Sequence, residues 1–411
     1  MRLLKEYIRF WGRIAVLSFK GGPLFYAWMT ILTIPVIVGV VAYLHQWNDG
    51  LAVTGMMDQI SWGVYIANFT YIVGMAAAAV MLVVPAYIYR DKDMHDVVLF
   101  GELLAISAII MALCFVMVDL GRPDRFWHLL PGIGVFNFPI SMLSWDVVVL
   151  SGYLLLNLHI CGYLLFMKYM NRKPTWMFYI PFVLIAIVWA ISIHTVTAFL
   201  YVGLVGRPFW NSAIVAPRFL GSAFTAGPGL IIIALLFIRH LTHYPISERA
   251  IHILRNIVTV SLLINLFLLG CEAFKEFYAE SVHSSSARYL FFGLEEHRAL
   301  VPWIWTAIAM ETVAMLILVV PPLARRLPLL AVACALSVVG IWIEKGLGLI
   351  VPGFVPTPLG QVVEYTPTIV EAAVSLGIWS LGILLFSWML HIAIPILTGD
   401  FRYDKASLPT T

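Results

Sequence analysis

Long apolar runs recur along the whole of this 411-residue chain, and they restrict it to the folds that a membrane permits. Each run is about 20 residues long, which is the length that a helix needs to cross the hydrocarbon core of a bilayer. Hydrophobic residues make up 62% of the chain and charged residues only 11%, whereas soluble domains are about 45–50% apolar and about 25% charged. Because backbone polar groups at that depth must be paired within their own segment, we predict an all-α integral membrane protein.

Ten of these runs are long enough to be membrane-spanning helices, which we number span 1 to span 10. They are predicted at residues 24–45, 61–88, 98–119, 142–167, 176–204, 215–238, 255–279, 300–322, 328–350 and 368–396. Span 6 contains the sequence Gly227-Pro228-Gly229, so we expect a kink or a local break in that helix.

The distribution of Lys and Arg predicts the orientation of the chain. Seventeen of the 25 basic residues precede span 1, follow an even-numbered span or lie in the C-terminal tail, whereas the loops of the other side carry six. The positive-inside rule then places both termini in the cytoplasm and the loop 121–141 outside. The amphipathic segment 1–23 is expected to be cytoplasmic and not a cleavable signal peptide. Neither side has a large domain, so a soluble redox centre would have to come from a partner.

Polar residues converge at the predicted outer ends of spans 2 to 5. Tyr65 and Asn68 share a face of span 2, Asp119 ends span 3, Asp146 lies about one turn into span 4, and His194 lies in the outer half of span 5. Such groups are costly inside a bilayer and indicate function where they cluster. A quinone head group needs hydrogen-bond donors for its carbonyls and groups that exchange protons, and these residues supply both. The alternative is that they only lock the helices together.

The segment from Asp119 to Asp146 gathers acids, arginines and tryptophans at one membrane face. Arg122 and, after span 5, Arg207 are candidates for holding these acids or a reduced head group. Trp127 is a further candidate contact of the cofactor.

The second half of the chain carries its own intramembrane charges. Glu272, Glu311, Glu344 and Lys345 all lie within predicted spans. They could form a proton path across the membrane, or internal salt bridges that hold the helices together. We prefer the second interpretation, with Glu272–Lys345 or Glu344–Lys275 as the expected pairs.

The cysteines and histidines argue against a metal centre in this chain. All four cysteines lie in apolar runs without a CxxC pair: Cys114, Cys161, Cys271 and Cys334. An iron–sulfur cluster or structural zinc is therefore not expected. A b-type haem would need two histidines at equal depth, and the candidates His159, His194 and His391 differ in depth, so no haem is predicted.

Several short motifs occur in a fixed order along the chain. They are Trp62-Gly63 with Asn68, the run Asp119-Leu-Gly-Arg-Pro with Arg125-Phe-Trp, Ser144-Trp145 and Arg207-Pro-Phe-Trp-Asn211. Together they resemble the NrfD/polysulfide-reductase (PsrC-like) membrane-subunit family, and Glu344-Lys-Gly with the stretch from Tyr365 to Glu371 fits its ten-span branch. The resemblance covers most of the chain, and its most specific part is the Asp-Leu-Gly-Arg-Pro element.

The resemblance implies two four-helix bundles, which we assign to residues 61–204 and 205–350. Residues 24–60 would then form the first span and an external loop, and residues 351–411 an external loop, the last span and a cytoplasmic tail. It also implies a menaquinone site near the outer face of the first bundle, with no metal or haem. Family members often carry a His after the Asn of span 2. This chain has Ile72 four residues after Asn68, so the donor would be Tyr65 or His194.

The resemblance further implies a function within a respiratory complex. The chain would exchange electrons between menaquinone and an extracytoplasmic ferredoxin-like iron–sulfur subunit, in a complex of the DsrMKJOP type of dissimilatory sulfur metabolism. A multihaem cytochrome and further membrane and cytoplasmic subunits would complete that complex, in the inner membrane of a bacterium or archaeon. Two alternatives remain open from the residues alone. A secondary transporter or ion-translocating subunit also uses intramembrane charges, and a membrane anchor needs no quinone turnover.

Overall fold

The computed structural model describes residues 2–130, 132–242, 244–278 and 284–403, and every regular element within these ranges is helical. Ten of the described helices are long and apolar enough to cross a membrane, which confirms the predicted all-α, ten-span fold. In order, spans 1 to 10 extend over Pro23–Val53, Val64–Ile88, Lys92–Asp119, Met142–Tyr169, Trp176–Val202, Val215–Leu241, Glu248–Tyr278, Val301–Val319, Leu327–Phe354 and Ile369–Thr398.

Shorter helices flank the spans. They are α1 (Arg2–Ser18), the 3₁₀ helix Pro123–Leu129, and the helices Ser285–Phe291 and Pro321–Ala324. Span 1 ends in the 3₁₀ turn Gly50–Val53, and span 5 begins with the 3₁₀ turn Trp176–Phe178 before its α-helix Ile180–Val202.

Two spans are interrupted, and neither interruption was predicted. Span 2 consists of the α-helix Val64–Ala77, the short helix Val80–Val83 and the π-helical segment Val84–Ile88. Span 9 consists of the α-helix Leu327–Lys345, the turn Leu347–Ile350 and the 3₁₀ turn Val351–Phe354.

Span 6, where a kink or break was expected, is one unbroken helix that contains Pro228. A side chain in place of Gly227 would collide with Ala78 of span 2. The absence of a Cβ at Gly227 thus allows spans 2 and 6 to approach each other closely.

The spans form two rings of four helices. In the first bundle span 2 packs on span 3, span 3 on span 4, span 4 on span 5, and span 5 on span 2. Spans 6, 7, 8 and 9 close the second bundle in the same way. The bundles meet where spans 2 and 5 contact span 6 and where span 2 contacts span 9. Spans 1 and 10 pair with each other outside the bundles, and span 10 packs on span 3.

Helix α1 and the last described residue, Tyr403, lie at the same end of the molecule. The ring of Phe10 in α1 lies 5.0 Å from the ring of Tyr169 at the end of span 4. The guanidinium of Arg13 donates to the Tyr169 hydroxyl at 2.7 Å, and the Tyr403 amide donates to the Tyr169 carbonyl at 3.0 Å. We call this end the terminal face and the other end, which holds the Asp119–Asp146 loop, the opposite face.

A hydrogen-bonded clamp holds the start of span 2 at the opposite face. The Tyr365 hydroxyl accepts from the Val64 amide at 2.9 Å and donates to Glu371 Oε1 at 2.6 Å. Glu371 Oε2 accepts from the amides of Gly55 at 2.7 Å and Thr368 at 2.9 Å. One buried carboxylate thus ties the loop after span 1, the start of span 10 and, through Tyr365, the start of span 2.

Candidate functional site

Tyr65 and Asp119 lie together where spans 1, 2 and 3 meet at the opposite face. The buried Tyr65 hydroxyl donates to Gln46 Oε1 at 2.7 Å, and Gln46 Nε2 donates to the Val118 carbonyl at 2.6 Å. Tyr65 is within electrostatic range of both Asp119 and Glu371. Asp119 Oδ1 is buried and has no hydrogen-bond partner among the described residues. Asp119 therefore keeps one oxygen that is free to hold a proton or accept a hydrogen bond.

Asn68 is a structural junction between three spans. Its Oδ1 accepts from the indole nitrogens of Trp342 at 2.9 Å and Trp379 at 3.0 Å. Its Nδ2 donates to the Val64 carbonyl at 2.9 Å and to Ser375 Oγ at 3.5 Å. All of the hydrogen-bonding capacity of the amide is used inside the protein, so it has none left for a quinone carbonyl.

Asp146 lies inside the first bundle. Its Oδ1 accepts from Thr197 Oγ1 of span 5 at 2.9 Å, and the residue is 2% exposed. One turn further along span 5, the Tyr201 hydroxyl is hydrogen-bonded to Thr70 of span 2. Tyr201 is also within electrostatic range of Asp146 and Asp119. The Tyr201 hydroxyl thus lies near both acids and is bonded to the middle of span 2.

The three loop residues predicted beside the acids lie elsewhere. Arg122 is exposed and forms a two-point ion pair with Asp124, at 2.9 and 3.0 Å, because this acid is two residues away and faces the same solvent. The pair holds the pKa of Asp124 below its ordinary value. Trp127 is 40% exposed. Arg207 donates to the Phe354 carbonyl at 3.2 Å and covers the Phe354 ring, so the three residues line the opposite face and do not contact Asp119 or Asp146.

His194 lies at a cavity between the two bundles. The cavity measures about 230 Å³ and is lined by spans 2, 5, 6 and 9, with Thr70, His194 and Lys345 among its walls. His194 Nε2 lies 2.7 Å from the Phe219 carbonyl oxygen. Because a carbonyl oxygen only accepts, Nε2 carries the hydrogen and Nδ1 is bare in the neutral ring. Nδ1 is buried and has no partner among the described residues.

The walls of this cavity are shaped by a glycine and a buried lysine. A Cβ added at Gly74 would lie 3.1 Å from His194 Cε1, so the glycine leaves room for the imidazole. Lys345 is 3% exposed and lies at the interruption of span 9. Two side chains that can exchange protons, one from each bundle, therefore line the same cavity.

Arg218 is the centre of the ion pairs in the second bundle. Its guanidinium pairs with both Glu272 of span 7 and Glu344 of span 9, and it is 6% exposed. Lys345 Nζ lies 3.5 Å from Glu344 Oε1. The predicted pairs Glu272–Lys345 and Glu344–Lys275 are therefore wrong. Lys275 pairs with the adjacent glutamate at 2.8 Å, and Arg218, counted with the basic residues of the outer loops, points into the bundle between the two acids.

Glu311 joins this network through an amide. Asn265 Nδ2 donates to Glu311 Oε2 at 3.0 Å and to Glu344 Oε2 at 3.1 Å. A second cavity of about 380 Å³ is lined by Arg218, Glu272, Glu276 and Glu344 together with apolar side chains. Ion pairs and hydrogen bonds of the Asn265 amide connect spans 6, 7, 8 and 9. They support the interpretation that these charges hold the helices together.

Sequence reasoning missed three buried polar residues. The sequence does carry a signal for Arg218 and Tyr201, since each lies inside an apolar run at the end of a span. Glu102 is a lone acid in the middle of span 3 and is 1% exposed, a signal as clear as that of Asp146. It was overlooked because, in the first half of the chain, the prediction considered only the polar residues near the outer ends of the spans.

Comparison with known proteins gives one family and several relatives. Residues 52–356 match the family model described as polysulphide reductase, NrfD. The chain is 26% identical to a putative membrane subunit of the dimethyl sulfoxide reductase of Halobacterium salinarum, over 91% of this chain and 92% of the relative. It is 24% identical to a subunit of the selenate reductase of Mesobacillus selenatarsenatis, over 88% and 92%. It is 23% identical to the Hdr-like menaquinol oxidoreductase integral membrane subunit of Archaeoglobus fulgidus, over 88% and 91%.

Proposed function

The chain belongs to the polysulphide reductase NrfD family, and on that premise we propose that it is the quinone-interacting membrane subunit of a multisubunit respiratory redox complex. Its relatives are named as subunits of two reductases and of a menaquinol oxidoreductase. We propose menaquinone as the ligand, and activity only within the assembled complex.

One observation carries the proposal. His194 Nδ1 is buried, unpartnered among the described residues, and belongs to a side chain that lines the same cavity as Lys345. The cavity lies between the two bundles, so a quinone head group that bound there would have its tail leave between the helices. The proposed site thus retains spans 2 and 5 of the sequence prediction and adds spans 6 and 9.

The side chains around the cavity suit quinone chemistry in either direction. A bound menaquinone supplies exchange of two electrons and two protons. His194 Nδ1, held in place by the Phe219 carbonyl, accepts a proton from a hydroxyl, and in its protonated form donates to a carbonyl oxygen. The Lys345 ammonium donates to the second oxygen. At the cavity wall, Thr70 is hydrogen-bonded to Tyr201, which is within electrostatic range of Asp146 and Asp119.

Orientation and motif resemblance support the proposed partner subunits. The bias of basic residues toward the terminal face supports a cytoplasmic position for that face in an inner membrane. A ferredoxin-like iron–sulfur subunit would then dock outside, against the Asp119–Asp146 loop, whose Phe126 and Trp127 are 49% and 40% exposed. The motifs of the ten-span branch support a DsrMKJOP-like complex of sulfur metabolism, with a multihaem cytochrome among its further subunits.

Replacing His194 by alanine in the assembled complex tests the proposal. We expect weaker menaquinone binding and a loss of quinol turnover of about 10²-fold, which is typical for removal of a proton-transfer group. His159→Ala is the matched control, because His159 also contacts a backbone carbonyl, at 2.9 Å, but is exposed. The control should bind and turn over menaquinol like the unmodified complex.

Full turnover in both His194→Ala and Lys345→Met complexes would contradict the proposed site. If the unmodified complex also transferred electrons without binding menaquinone to this chain, the chain would be a membrane anchor.

A further inference from the structure

Glu102 is a buried acid that the proposed quinone site does not use. It lies in span 3, roughly 15 Å along the helix from its first residue at the terminal face. Its Oε2 lies 3.5 Å from Cys161 Sγ, which donates to it, and its Oε1 has no hydrogen-bond partner in the described part of the chain. At 1% exposure, with no described Lys or Arg in an ion pair with it, an ionised carboxylate would be strongly destabilised.

The carboxyl group lines a cavity inside the first bundle. This cavity measures about 230 Å³ and is also lined by Tyr153 and Asn157 of span 4. Its wall on span 2 includes Val80 and Val83, immediately after the interruption of that helix. Tyr153 is also within electrostatic range of Glu102. The cavity therefore places two polar side chains of span 4 beside the Glu102 carboxyl group.

A second unpartnered group connects Glu102 to the terminal face. Tyr87 lies in the π-helical segment of span 2, and its buried hydroxyl has no partner among the residues that the structure describes. Tyr87 is within electrostatic range of Glu102. Its ring lies 5.6 Å from the ring of His95, which is exposed in the first turn of span 3. These three side chains form a route from the surface to the cavity.

Span 4 continues the route toward the opposite face. Cys161, Asn157, Tyr153 and Asp146 are separated by four, four and seven residues, so they share one face of the helix. The structure buries all four. Asp146 is bonded to Thr197 and is within electrostatic range of Tyr201, whose hydroxyl is bonded to Thr70 at the proposed quinone site.

We propose that Glu102 is a buried proton-holding site through which protons pass between the terminal face and the quinone site. The neutral carboxyl gives its proton to the water or side chain on one side and is reprotonated from the other. No electron is transferred in this step. The destination of the proton rests on the proposed quinone function, whereas the proton on Glu102 is a property of this chain alone.

Infrared spectroscopy of the purified complex in H₂O and D₂O tests the site directly. We expect a deuterium-sensitive carbonyl band of a protonated carboxylic acid that is lost in Glu102→Gln. Glu248→Gln is the control, because Glu248 is exposed at the terminal face and pairs with Arg239. It should leave the band unchanged. Persistence of the full band in Glu102→Gln would overturn the proposal.

Turnover in reconstituted liposomes tests the proton route. Glu102→Gln should assemble and bind menaquinone normally but lose about 10²-fold in quinol turnover, and Glu102→Asp should recover part of it. Tyr87→Phe keeps the ring and removes only the hydroxyl, so it should also lower turnover even if Glu102→Gln fails to fold. Normal turnover in both Glu102→Gln and Tyr87→Phe would refute the route.

Two further outcomes separate the possible failures. The first is a dependence on Na⁺ at constant ionic strength. If turnover of the unmodified complex rises with Na⁺ while turnover of Glu102→Gln is insensitive to it, Glu102 is a sodium site and the proton site is overturned. If the unmodified complex binds no menaquinone, the proposed function fails, while the carbonyl band still decides whether Glu102 holds a proton.

Discussion

Removing the guanidinium of Arg218 should destabilise the second bundle more than any surface ion pair could. Arg218 is 6% exposed and pairs with Glu272 and Glu344, which are 6% and 2% exposed. In Arg218→Met, the Lys345 ammonium still lies 3.5 Å from Glu344 Oε1 and balances its charge. Glu272, by contrast, is left buried without a counter-charge. Loss of one partner of a buried ion pair typically costs about 3–5 kcal/mol, and that is the destabilisation we expect.

Reversible unfolding in mixed detergent micelles measures this free energy. The double variant Arg218→Met with Glu272→Gln removes the stranded charge, so it should regain most of the lost stability. Arg249→Met is the matched control, because Arg249 pairs with Asp91 at 2.9 Å but its side chain is 70% exposed. An exposed pair contributes about 0–1 kcal/mol.

The expected loss of stability is electrostatic and arises from the Glu272 carboxylate that is left without a partner. A double variant no more stable than Arg218→Met would refute it, since the loss would then come from packing of the arginine side chain. A loss for Arg218→Met as small as that for the Arg249 control would refute the assignment of a buried, charged network.

Two further predictions concern span 2. Asn68→Ala leaves the indole N–H groups of Trp342 and Trp379 without their acceptor. The same unfolding assay should show a loss of stability of about 1–3 kcal/mol per unpaired group, while menaquinone affinity is unchanged. Weaker binding at unchanged stability would instead make Asn68 a ligand. Gly74→Leu places a side chain against His194, so titration with menaquinone should show a loss of binding in a folded protein, and normal affinity would place the head group elsewhere.

The helices themselves were predictable because a span needs only length and apolar composition. Span 4 was predicted at 142–167 and extends over Met142–Tyr169. The interruption of span 2 was not predicted, since no proline or glycine pair marks the break after Ala77. The interruption of span 9 was not predicted either, although Gly346 and Gly348 lie beside it. Conversely, Gly227 and Pro228 predicted a kink or a local break in span 6; the helix is not broken there, and the glycine accommodates a neighbouring helix.

The candidate site was harder to predict because hydrogen bonding saturates some polar side chains and leaves others free. Asn68 and His194 were both predicted as polar residues of one quinone site near the outer ends of their spans. In the fold, two tryptophans from the last two spans occupy the Asn68 oxygen, whereas His194 uses only one ring nitrogen. Arg122 lies in the most specific motif of the chain, yet its nearest acid is Asp124.

The amino-acid sequence alone determined that this protein is a bundle of ten membrane-spanning helices, because apolar length and the need to pair backbone groups are local properties. It also determined the family, through short motifs in a fixed order. Tertiary structure decided which buried charges meet, since Arg218, Glu272 and Glu344 come from three different spans. It also decided which proton-exchanging groups remain free at a cavity, because that depends on partners brought together by packing of helices distant in sequence.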